Sequence, residues 1–336
     1  MDKQQRVLTG ITTSGMPHLG NLVGAVLPAI KASNLQNTSS FLFLADYHSL
    51  IKNTDSDLTH SSSFEIAACW LACGLDPNKV IFYRQSDIPH IFELAWILGC
   101  LTSKGLLNRA HAYKAAIADN EEKGIKDIDK GITMGLFNYP ILMAADILMF
   151  SADIVPVGQD QKQHIEMARD IALKFNHHYG ELLTPPEAQI SEVTGVLPGL
   201  DGRKMSKSYN NTIPIFADEK TLQKTIMKIK TNSLEPGDPK DSSECNIFSL
   251  YKAIANEGEI SSLQNQYNDG IGWGEAKKIL FERLNDFLSP YKEEYSKIIK
   301  DRDFVESVLL DGSKKAQEVS KPLIENIRKA VGIKGF

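Results

Sequence analysis

The feature that most restricts the fold is the alternation of strand-like and helix-like segments through the first half of the chain. Apolar strand-like runs cover residues 6–9, 40–45 and 80–84, and helical patterns cover residues 19–33, 57–73, 90–101 and 134–150. Strands joined through helices pair in parallel, and helices then cover both faces of their sheet. We therefore predict an α/β fold with a doubly wound parallel sheet of the Rossmann type. Pro28 lies inside the first helical pattern, so that helix should be kinked or divided.

After Pro214 the strand-like runs nearly disappear, and the rest of the chain is predicted to be helical. Helical patterns cover residues 220–230, 276–287, 303–310 and 314–331. At 336 residues the chain is long for one hydrophobic core, so two domains are expected. We place the α/β domain at residues 1–209 and a C-terminal all-helical domain at residues 210–336.

The overall composition is that of a globular protein without a membrane segment. Hydrophobic residues make up 42% and charged residues 24% of the chain, which are ordinary values for a soluble protein. The longest apolar stretches, 66–75 and 141–150, are too short or too interrupted to cross a bilayer. No basic-then-apolar leader precedes the first strand. We therefore expect a cytoplasmic location and no membrane partner.

The cysteine spacing and the net charge restrict the ligands. None of the four cysteines forms a C-x-x-C pair or has zinc-ligand spacing, so we expect reduced thiols and no protein-held metal. The formal charge of −5 argues against indiscriminate nucleic-acid binding, which depends on neutralising phosphates. DNA is therefore not an expected partner, whereas a local basic face would be enough for a specific RNA.

The segment between the first strand and the first helix has the composition of a phosphate-binding loop. Gly10, Gly15 and Gly20 allow the backbone to approach a ligand closely, and the following helix offers N–H groups to phosphate. His18 can hydrogen-bond phosphate oxygens. The small donors of the segment are Thr12, Thr13 and Ser14. An ordinary strand-to-helix turn with a capping residue is the alternative, because short His-Gly patterns are weakly specific.

A second segment, the lysine loop (residues 204–208), carries clustered positive charge. Together with Arg203, its Lys204 and Lys207 place three cations within five residues. Such a cluster suits a triphosphate, because it stabilises charge that moves to a departing pyrophosphate. A solvated basic loop is the alternative. Since both segments occur in one α/β chain, we predict a nucleotide site formed by the two together.

These two segments resemble the HIGH and KMSKS motifs of class I aminoacyl-tRNA synthetases. Residues 18–21 read His-Leu-Gly-Asn, so Asn21 departs from the fourth position, whereas residues 204–208 match completely. Further segments resemble bacterial tryptophanyl-tRNA synthetases, namely residues 10–15, where Thr12-Thr13 replaces Gln-Pro, 139–148, and 153–164, the most specific match. The resemblance implies that the first domain is catalytic and that the helical domain binds the tRNA anticodon.

The same resemblance implies how a tryptophan side chain is selected. Asp146 would accept the indole N–H, and a buried carboxylate suits a ring that offers one donor and no acceptor. Phenylalanine would leave that carboxylate unpaired and would be rejected. The other residues implied for the tryptophan pocket are Leu8, His48, Tyr139, Met143, Val155, Val157 and Gln161. Core packing is the alternative for Met143 and the two valines, and a structural histidine with satisfied hydrogen bonds is the alternative for His48. A local cap or ion pair is the alternative for Asp146.

For ATP the resemblance implies contacts from several segments. They are Thr12, Thr13, Ser14, Gly20, Asn21, Gly158, Gln159, Asp160, Leu197, Lys204, Met205, Ser206, Lys207 and Ser208. The implied catalytic residues are His18, Lys114, Lys204 and Lys207. Lys114 and its neighbour Arg109 lie in a highly charged segment, 104–123, that we interpret as a connection. ATP would bind as its Mg²⁺ complex.

The resemblance therefore implies an ATP-dependent ligase that joins L-tryptophan to tRNA(Trp) and acts as a homodimer. Candidate RNA contacts are Lys220, Lys224, Lys228, Lys230, Lys314 and Lys315, although a charged helix face is usually only solvated. A tyrosyl-tRNA synthetase is one alternative, because tyrosine could also donate to Asp146, but residues 158–164 favour tryptophan. A non-catalytic paralogue that senses tryptophan or binds RNA is another, and the complete lysine loop argues against it.

Overall fold

A five-stranded parallel sheet lies at the centre of the structure. The strands are Gln5–Thr12 (β1), Thr38–Ala45 (β2), Val80–Arg84 (β3), Ile154–Val157 (β4) and Glu187–Ile190 (β5). Their order is β3-β2-β1-β4-β5, and every neighbouring pair is parallel. The winding direction reverses between β1 and β4, and a doubly wound sheet binds its ligand beyond the carboxyl ends of the strands at such a point. The predicted fold class is confirmed.

The computed structural model describes residues 4–13, 15–51, 53–190, 197–333 and 335, and for residues 160 and 190 it describes only the backbone. The α-helices within these ranges are Leu19–Asn21 (α1), Leu27–Ser33 (α2), Asp46–Ser49 (α3), Ser56–Ala72 (α4), Pro89–Leu101 (α5), Lys104–Leu107 (α6), His111–Glu122 (α7), Met134–Met149 (α8), Lys162–Tyr179 (α9), Glu219–Met227 (α10), Asn246–Lys252 (α11), Glu257–Asn268 (α12), Trp273–Ile298 (α13) and Arg302–Ala330 (α14). Short 3₁₀ turns occupy Gln85–Asp87, Gln159–Gln161 and Lys207–Tyr209. No helix in these ranges is long and apolar enough to cross a membrane.

The first helical pattern, residues 19–33, is divided in the way that Pro28 requires. A π-helical segment, Leu22–Val26, separates α1 from α2, and the Leu27 N–H bonds to the Leu22 carbonyl. Pro28 then lies in the first turn of α2, where its missing N–H would have no acceptor within that helix. The chain therefore stays helical across the proline.

Several predictions of helix boundaries are wrong. The helix predicted at residues 276–287 is part of the longer α13, Trp273–Ile298. Residues 104–123, interpreted as a connection, form α6 and α7, which bury Leu107 and Tyr113. Their charges lie on the solvent-facing side of these helices. The patterns at 303–310 and 314–331 are one helix, α14, because Gly312 packs against the backbone of Phe82 instead of ending the helix.

Hydrophobic cores cover both faces of the sheet, and the C-terminal helices contribute to each. Alternate residues of β2 face opposite sides, so Leu42 belongs to the core that includes residues of α4, α10 and α13, whereas Phe41 belongs to the core that includes residues of α5, α8 and α9. The second core also includes Ile324 and Ile327 of α14. Helix α14 therefore packs directly on the sheet, beside β3. The boundary between residues 209 and 210 stays a prediction.

Candidate active site

A reciprocal pair of hydrogen bonds fixes His18 at the start of α1. The imidazole Nδ1 of His18 accepts the Asn21 N–H at 3.3 Å, and Asn21 Oδ1 accepts the His18 N–H at 3.2 Å. This arrangement is a capping box, in which side chains satisfy two backbone donors that a helix terminus leaves unpaired. Asn21, the position that departs from the HIGH motif, therefore holds His18 in place.

The environment of His18 keeps its imidazole neutral. Burial, with only 9% of the residue exposed, and then the charge of Lys207 lower the pKa of His18 to about 4. Because Nδ1 accepts a backbone N–H, the ring proton is assigned to Nε2. The ring therefore offers a neutral N–H donor at physiological pH, which suits a contact to a phosphate oxygen.

We expect His18 to titrate near pH 4. Since its pKa is lowered, the imidazole should stay neutral as the pH falls from 7 to about 5, whereas an unperturbed histidine is half protonated near pH 6.5. An NMR titration of the imidazole Cε1–H signals measures this midpoint, and the His18→Gln variant identifies the signal. A midpoint above pH 6 would contradict the proposed environment.

Asn211 gives the lysine loop its shape. Its Oδ1 accepts the Ser206 N–H at 2.8 Å, and its Nδ2 donates to Asp201 Oδ1 at 2.7 Å and to the Lys204 carbonyl at 3.1 Å. Asn211 is only 2% exposed, and a Cβ added at Gly199 would lie 2.3 Å from its amide. The loop backbone is thus held from inside while its lysine side chains stay exposed.

The His18 segment and the lysine loop meet directly, although they lie almost two hundred residues apart. The Gly20 N–H donates to the sulfur of Met205 at 3.4 Å, and Lys207 Nζ donates to the Gly15 carbonyl at 2.7 Å. Gly15 has a positive φ of 89°, a conformation that glycine adopts without strain. Partial burial lowers the pKa of Lys207. The predicted juxtaposition of the two segments is present in the fold.

Asp146 of α8 is a buried carboxylate with two side-chain partners. It is 1% exposed; His48 Nε2 donates to its Oδ2 at 2.9 Å, and Gln85 Nε2 donates to Oδ1 and Oδ2 at 2.9 and 3.0 Å. Burial raises the pKa of Asp146, and the hydrogen bonds from His48 and Gln85 oppose that rise. A carboxylate held in this way remains an acceptor for a further donor.

A second hydrogen-bonded set borders the same region. Gln161 Oε1 accepts from His164 Nδ1 at 2.8 Å, so Nε2 of that ring accepts from the Tyr139 hydroxyl at 2.6 Å. The Tyr139 ring lies edge-on to that of His48, with 6.5 Å between ring centroids. Tyr139, His48 and Asp146 thus form one wall with fixed orientations.

The apolar residues predicted for the tryptophan pocket belong to one hydrophobic core, and two of them lie on the neighbouring strands β1 and β4 at the switch point of the sheet. Leu8 and Val155 are buried side by side in β1 and β4. Met143 and Val157 are partly buried and pack against the same core. An apolar surface beside an oriented carboxylate is the combination that a flat ring with one donor requires.

Comparison with known proteins assigns the chain to a family. The family model described as "tRNA synthetases class I (W and Y)" matches residues 1–289. The chain belongs to this family. The synthetase is 53% identical over 331 residues to the tryptophan–tRNA ligase of Neisseria meningitidis, and the match covers 98% of both chains. It is 52% identical to the tryptophan–tRNA ligase of Pseudomonas putida, with 98% of this chain and 74% of that protein covered.

A solved structure supports the same assignment. The synthetase superposes with a TM-score of 0.88 on tryptophanyl-tRNA synthetase from Campylobacter jejuni complexed with ADP and tryptophan. The two sequences are 42% identical, and the match covers 98% of this chain and all of the Campylobacter chain. The likeness extends over both the sheet and the C-terminal helices.

The remaining predicted nucleotide residues of the synthetase lie along the carboxyl edge of the sheet. Thr12 ends β1, and Thr13 is buried with a hydroxyl that has no hydrogen-bond partner among the described residues. The Leu197 carbonyl accepts the Met205 N–H at 2.9 Å. Gly158 and Gln159 directly follow β4, and Ser206 and Ser208 share a hydrogen bond of 2.8 Å. Ser14 and the side chain of Asp160 lie outside the described residues.

Lys114 is not joined to the rest of the site by side-chain contacts. It is exposed on α7, and within the described part of the chain its ammonium group has no hydrogen-bond or ion-pair partner. Gln163 of α9 accepts the His111 N–H at 3.1 Å and donates to the Arg109 carbonyl at 3.0 Å. The segment that carries Lys114 is therefore tied to the helix that follows residues 158–161. The roles of Lys114 and Arg109 stay predictions.

Three buried residues of the synthetase site were not predicted from the sequence: Gln85, His164 and Asn211. Gln85 directly follows β3, so its place at the ligand edge of the sheet could have been noticed. His164 belongs to the most specific motif match, but nothing in the sequence shows that it joins Tyr139 to Gln161. Asn211 looks like a turn residue, and only the folded loop shows the four residues that its side chain contacts, Asp201, Arg203, Lys204 and Ser206.

The structure also bears on metals and cysteines. Among the described residues, no group of three or more His, Cys, Asp or Glu side chains is arranged to hold a metal ion. The four cysteines, Cys69, Cys73, Cys100 and Cys245, are free thiols. The expected absence of a protein-held metal stays a prediction.

Proposed function

We propose that this synthetase is a tryptophan–tRNA ligase that activates L-tryptophan with ATP and then transfers it to tRNA. The observation that carries the proposal is Asp146, a buried carboxylate oriented beside apolar residues at the end of the sheet that also carries the nucleotide segments. Burying an acidic group costs free energy that hydrogen-bond partners must offset. A functional role, acceptance of the indole N–H of tryptophan, explains why such a group is kept at this position.

In the first step, a carboxylate oxygen of tryptophan attacks the α-phosphorus of ATP. A new P–O bond gives tryptophanyl-adenylate, and the bond to the β-phosphate oxygen breaks with its electrons leaving on pyrophosphate. Lys204 and Lys207 stabilise this leaving charge, and His18 donates its Nε2–H to a phosphate oxygen. No side chain acts as a covalent nucleophile, so positioning and charge stabilisation are the main contributions of the protein.

In the second step, a hydroxyl of the terminal ribose of tRNA attacks the activated carbonyl. The ester bond to tRNA forms, the C–O bond to the adenylate phosphate breaks with its electrons leaving on AMP, and the hydroxyl proton passes to the departing phosphate or to solvent. We assign the ribose and base contacts of ATP to residues that follow β4, namely Gly158, Gln159 and Asp160. ATP binds as its Mg²⁺ complex, because Mg²⁺ is commonly held by substrate phosphates together with few protein ligands.

The specific RNA partner we propose is tRNA(Trp). The lysines of α10 and its C-terminal end support this partner, because their side chains are exposed beside a buried apolar face formed by Leu222, Ile226 and Ile229. A basic face of this kind supplies phosphate contacts despite the negative overall charge. The substrates and the free thiols together support a cytoplasmic location.

We also propose that the active form is a homodimer. Trp96 of α5 is 76% exposed and Met134 of α8 is 68% exposed, and both line a cavity of about 790 Å³ between these helices. Large exposed apolar side chains that cluster in this way mark protein contact surfaces. The proposed occupant is the same face of a second copy.

ATP–pyrophosphate exchange with each amino acid tests the proposed function. We expect exchange with tryptophan and not with phenylalanine or tyrosine. Lys207→Ala should slow exchange by about 10²-fold, because it removes a charge that acts on the leaving group, while tryptophan binding measured by calorimetry persists. Exchange with tyrosine alone would instead support a tyrosyl-tRNA synthetase, and no exchange with any amino acid would support a non-catalytic paralogue.

A further inference from the structure

The side-chain amide of Gln85 donates to both carboxylate oxygens of Asp146. The amide nitrogen lies 2.9 Å from Oδ1 and 3.0 Å from Oδ2, and the Gln85 side chain is completely buried. The shared donor fixes the direction of the carboxylate, and the bond of 2.9 Å from His48 Nε2 to Oδ2 alone opposes its rotation. The positions of Gln85 and His48 together therefore decide which lone pairs of Asp146 face the pocket.

The residue that follows Gln85 connects the two partners of Asp146. Asp46 Oδ1 accepts the Ser86 N–H at 3.1 Å, and Asp46 Oδ2 accepts the Ser86 hydroxyl. Asp46 is the first residue of α3, the helix that also carries His48. His48 and Gln85 are thus joined through Asp46 and Ser86, so a shift of the turn Gln85–Asp87 moves both donors relative to Asp146.

The C-terminal helix holds the same turn from the opposite side. The Arg84 guanidinium donates to both oxygens of Glu306 at 2.8 and 2.7 Å and to Asp87 at 2.9 Å. The Ser313 hydroxyl donates to Asp87 Oδ2 at 2.8 Å. Gln317 Nε2 donates to the Asp87 carbonyl at 2.7 Å. Three turns of α14 therefore engage the two residues that flank Gln85 and Ser86.

We infer that α14 is part of the apparatus that selects the amino acid. By holding Arg84 and Asp87, it positions Gln85, which in turn orients the carboxylate of Asp146. This inference rests on the proposed function, because it takes Asp146 as the acceptor for the indole N–H. Gln85, Glu306 and Gln317 are positioning residues that act through Asp146 and do not touch the substrate.

The contacts of α14 can position the turn Gln85–Asp87 because they restrict both the location and the orientation of the groups they join. A bidentate guanidinium–carboxylate pair resists both translation and rotation of the partners. Arg84 forms such a pair with Glu306 and also reaches Asp87, so it links the helix to both ends of the turn. Loosening this pair would let the turn shift by a fraction of an ångström, which is enough to misalign a hydrogen bond.

Steady-state ATP–pyrophosphate exchange by the full-length protein tests the inference with two variants. Gln85→Met removes the amide while keeping the length of the side chain, and it should raise KM for tryptophan by roughly ten- to hundredfold. The double variant Glu306→Gln with Gln317→Met loosens α14 from outside the pocket, and we expect KM for tryptophan to rise about fivefold. In both, preference for tryptophan over phenylalanine should fall, and KM for ATP should stay within about twofold of wild type.

Glu318→Gln is the matched control, because Glu318 is exposed on the same helix and should leave all parameters unchanged. The inference fails if the double variant keeps the wild-type KM for tryptophan and the wild-type selectivity. It also fails if KM for tryptophan and KM for ATP rise in parallel, because that result indicates general loosening of the structure. Wild-type protein without tryptophan-dependent exchange would instead refute the proposed function.

Discussion

Replacing Asp146 with alanine should remove most of the preference for tryptophan over phenylalanine, with kcat/KM for tryptophan falling on the order of 10³-fold. The indole N–H loses its acceptor, and the buried donors of His48 and Gln85 lose theirs. The side chain of phenylalanine has no polar group that could pair with Asp146, so the slow activation of this amino acid should change little. KM for ATP should also change little, because the nucleotide segments do not depend on Asp146. Exchange kinetics with both amino acids measure the ratio.

Asp170→Ala is the matched control, since Asp170 is an exposed aspartate on α9 and its removal alters the charge by the same amount. It should behave like the wild-type protein. If Asp146→Ala keeps the discrimination against phenylalanine, Asp146 does not bind the indole ring. A parallel loss of tryptophan activation and ATP binding would likewise contradict the assignment, because it would point to a disturbed fold.

Replacing Gly312 with alanine should destabilise the protein by about 3 kcal/mol or more. Alanine in the middle of a helix is normally favoured over glycine by roughly 1 kcal/mol. At Gly312, however, the added Cβ would lie 1.8 Å from the Phe82 carbonyl oxygen, and backbone atoms cannot give way as a flexible side chain can. Helix α14 and β3 would have to separate, so this glycine-to-alanine change should lower the free energy of unfolding instead of raising it. Differential scanning calorimetry and urea unfolding measure the change.

Gly274→Ala is the matched control for this substitution. Gly274 lies exposed near the start of α13, and a Cβ there would meet no atom within 4 Å among the described residues. The same change should leave the melting temperature unchanged or raise it slightly. A Gly312→Ala protein as stable as the wild type would show that α14 and β3 do not approach as closely as the structure has them.

The fold was predictable where local sequence carries a strong period. The strand at residues 80–84 has the predicted bounds, and the helices predicted at 90–101 and 134–150 differ by one residue at one end. The helix bounds were predicted wrongly where contacts between residues far apart in sequence outweigh the local sequence pattern. A glycine such as Gly312 usually favours a helix end, but here its contact with the backbone of Phe82 lets the helix continue. The many charges of residues 104–123 suggest a connection, although these residues form α6 and α7, which each bury one apolar side.

Those residues of the candidate site that lie in short local motifs were predictable from the sequence, and those that act through long-range hydrogen bonds were not. His18 and the lysine loop lie in short motifs that can be read without knowing the fold. Gln85 and Asn211 act through side-chain hydrogen bonds that no spacing rule reveals, since Gln85 lies 61 residues from Asp146. The capping role of Asn21 was also missed, because a departure from a motif does not show what the new residue does.

The contacts between α14 and the turn Gln85–Asp87 have a consequence for how the protein is made. Glu306 lies 222 residues beyond Arg84, so the ribosome synthesises the turn long before the helix that holds it. At about 5 to 20 residues per second, the interval is roughly ten to forty seconds. Throughout that time β3 lacks the helix that packs against it, and the turn Gln85–Asp87 lacks its contacts with α14. A nascent chain therefore contains the His18 segment, Asp146 and the lysine loop before Glu306 and Gln317 are synthesised, so the inferred positioning by α14 begins only after these residues have been added.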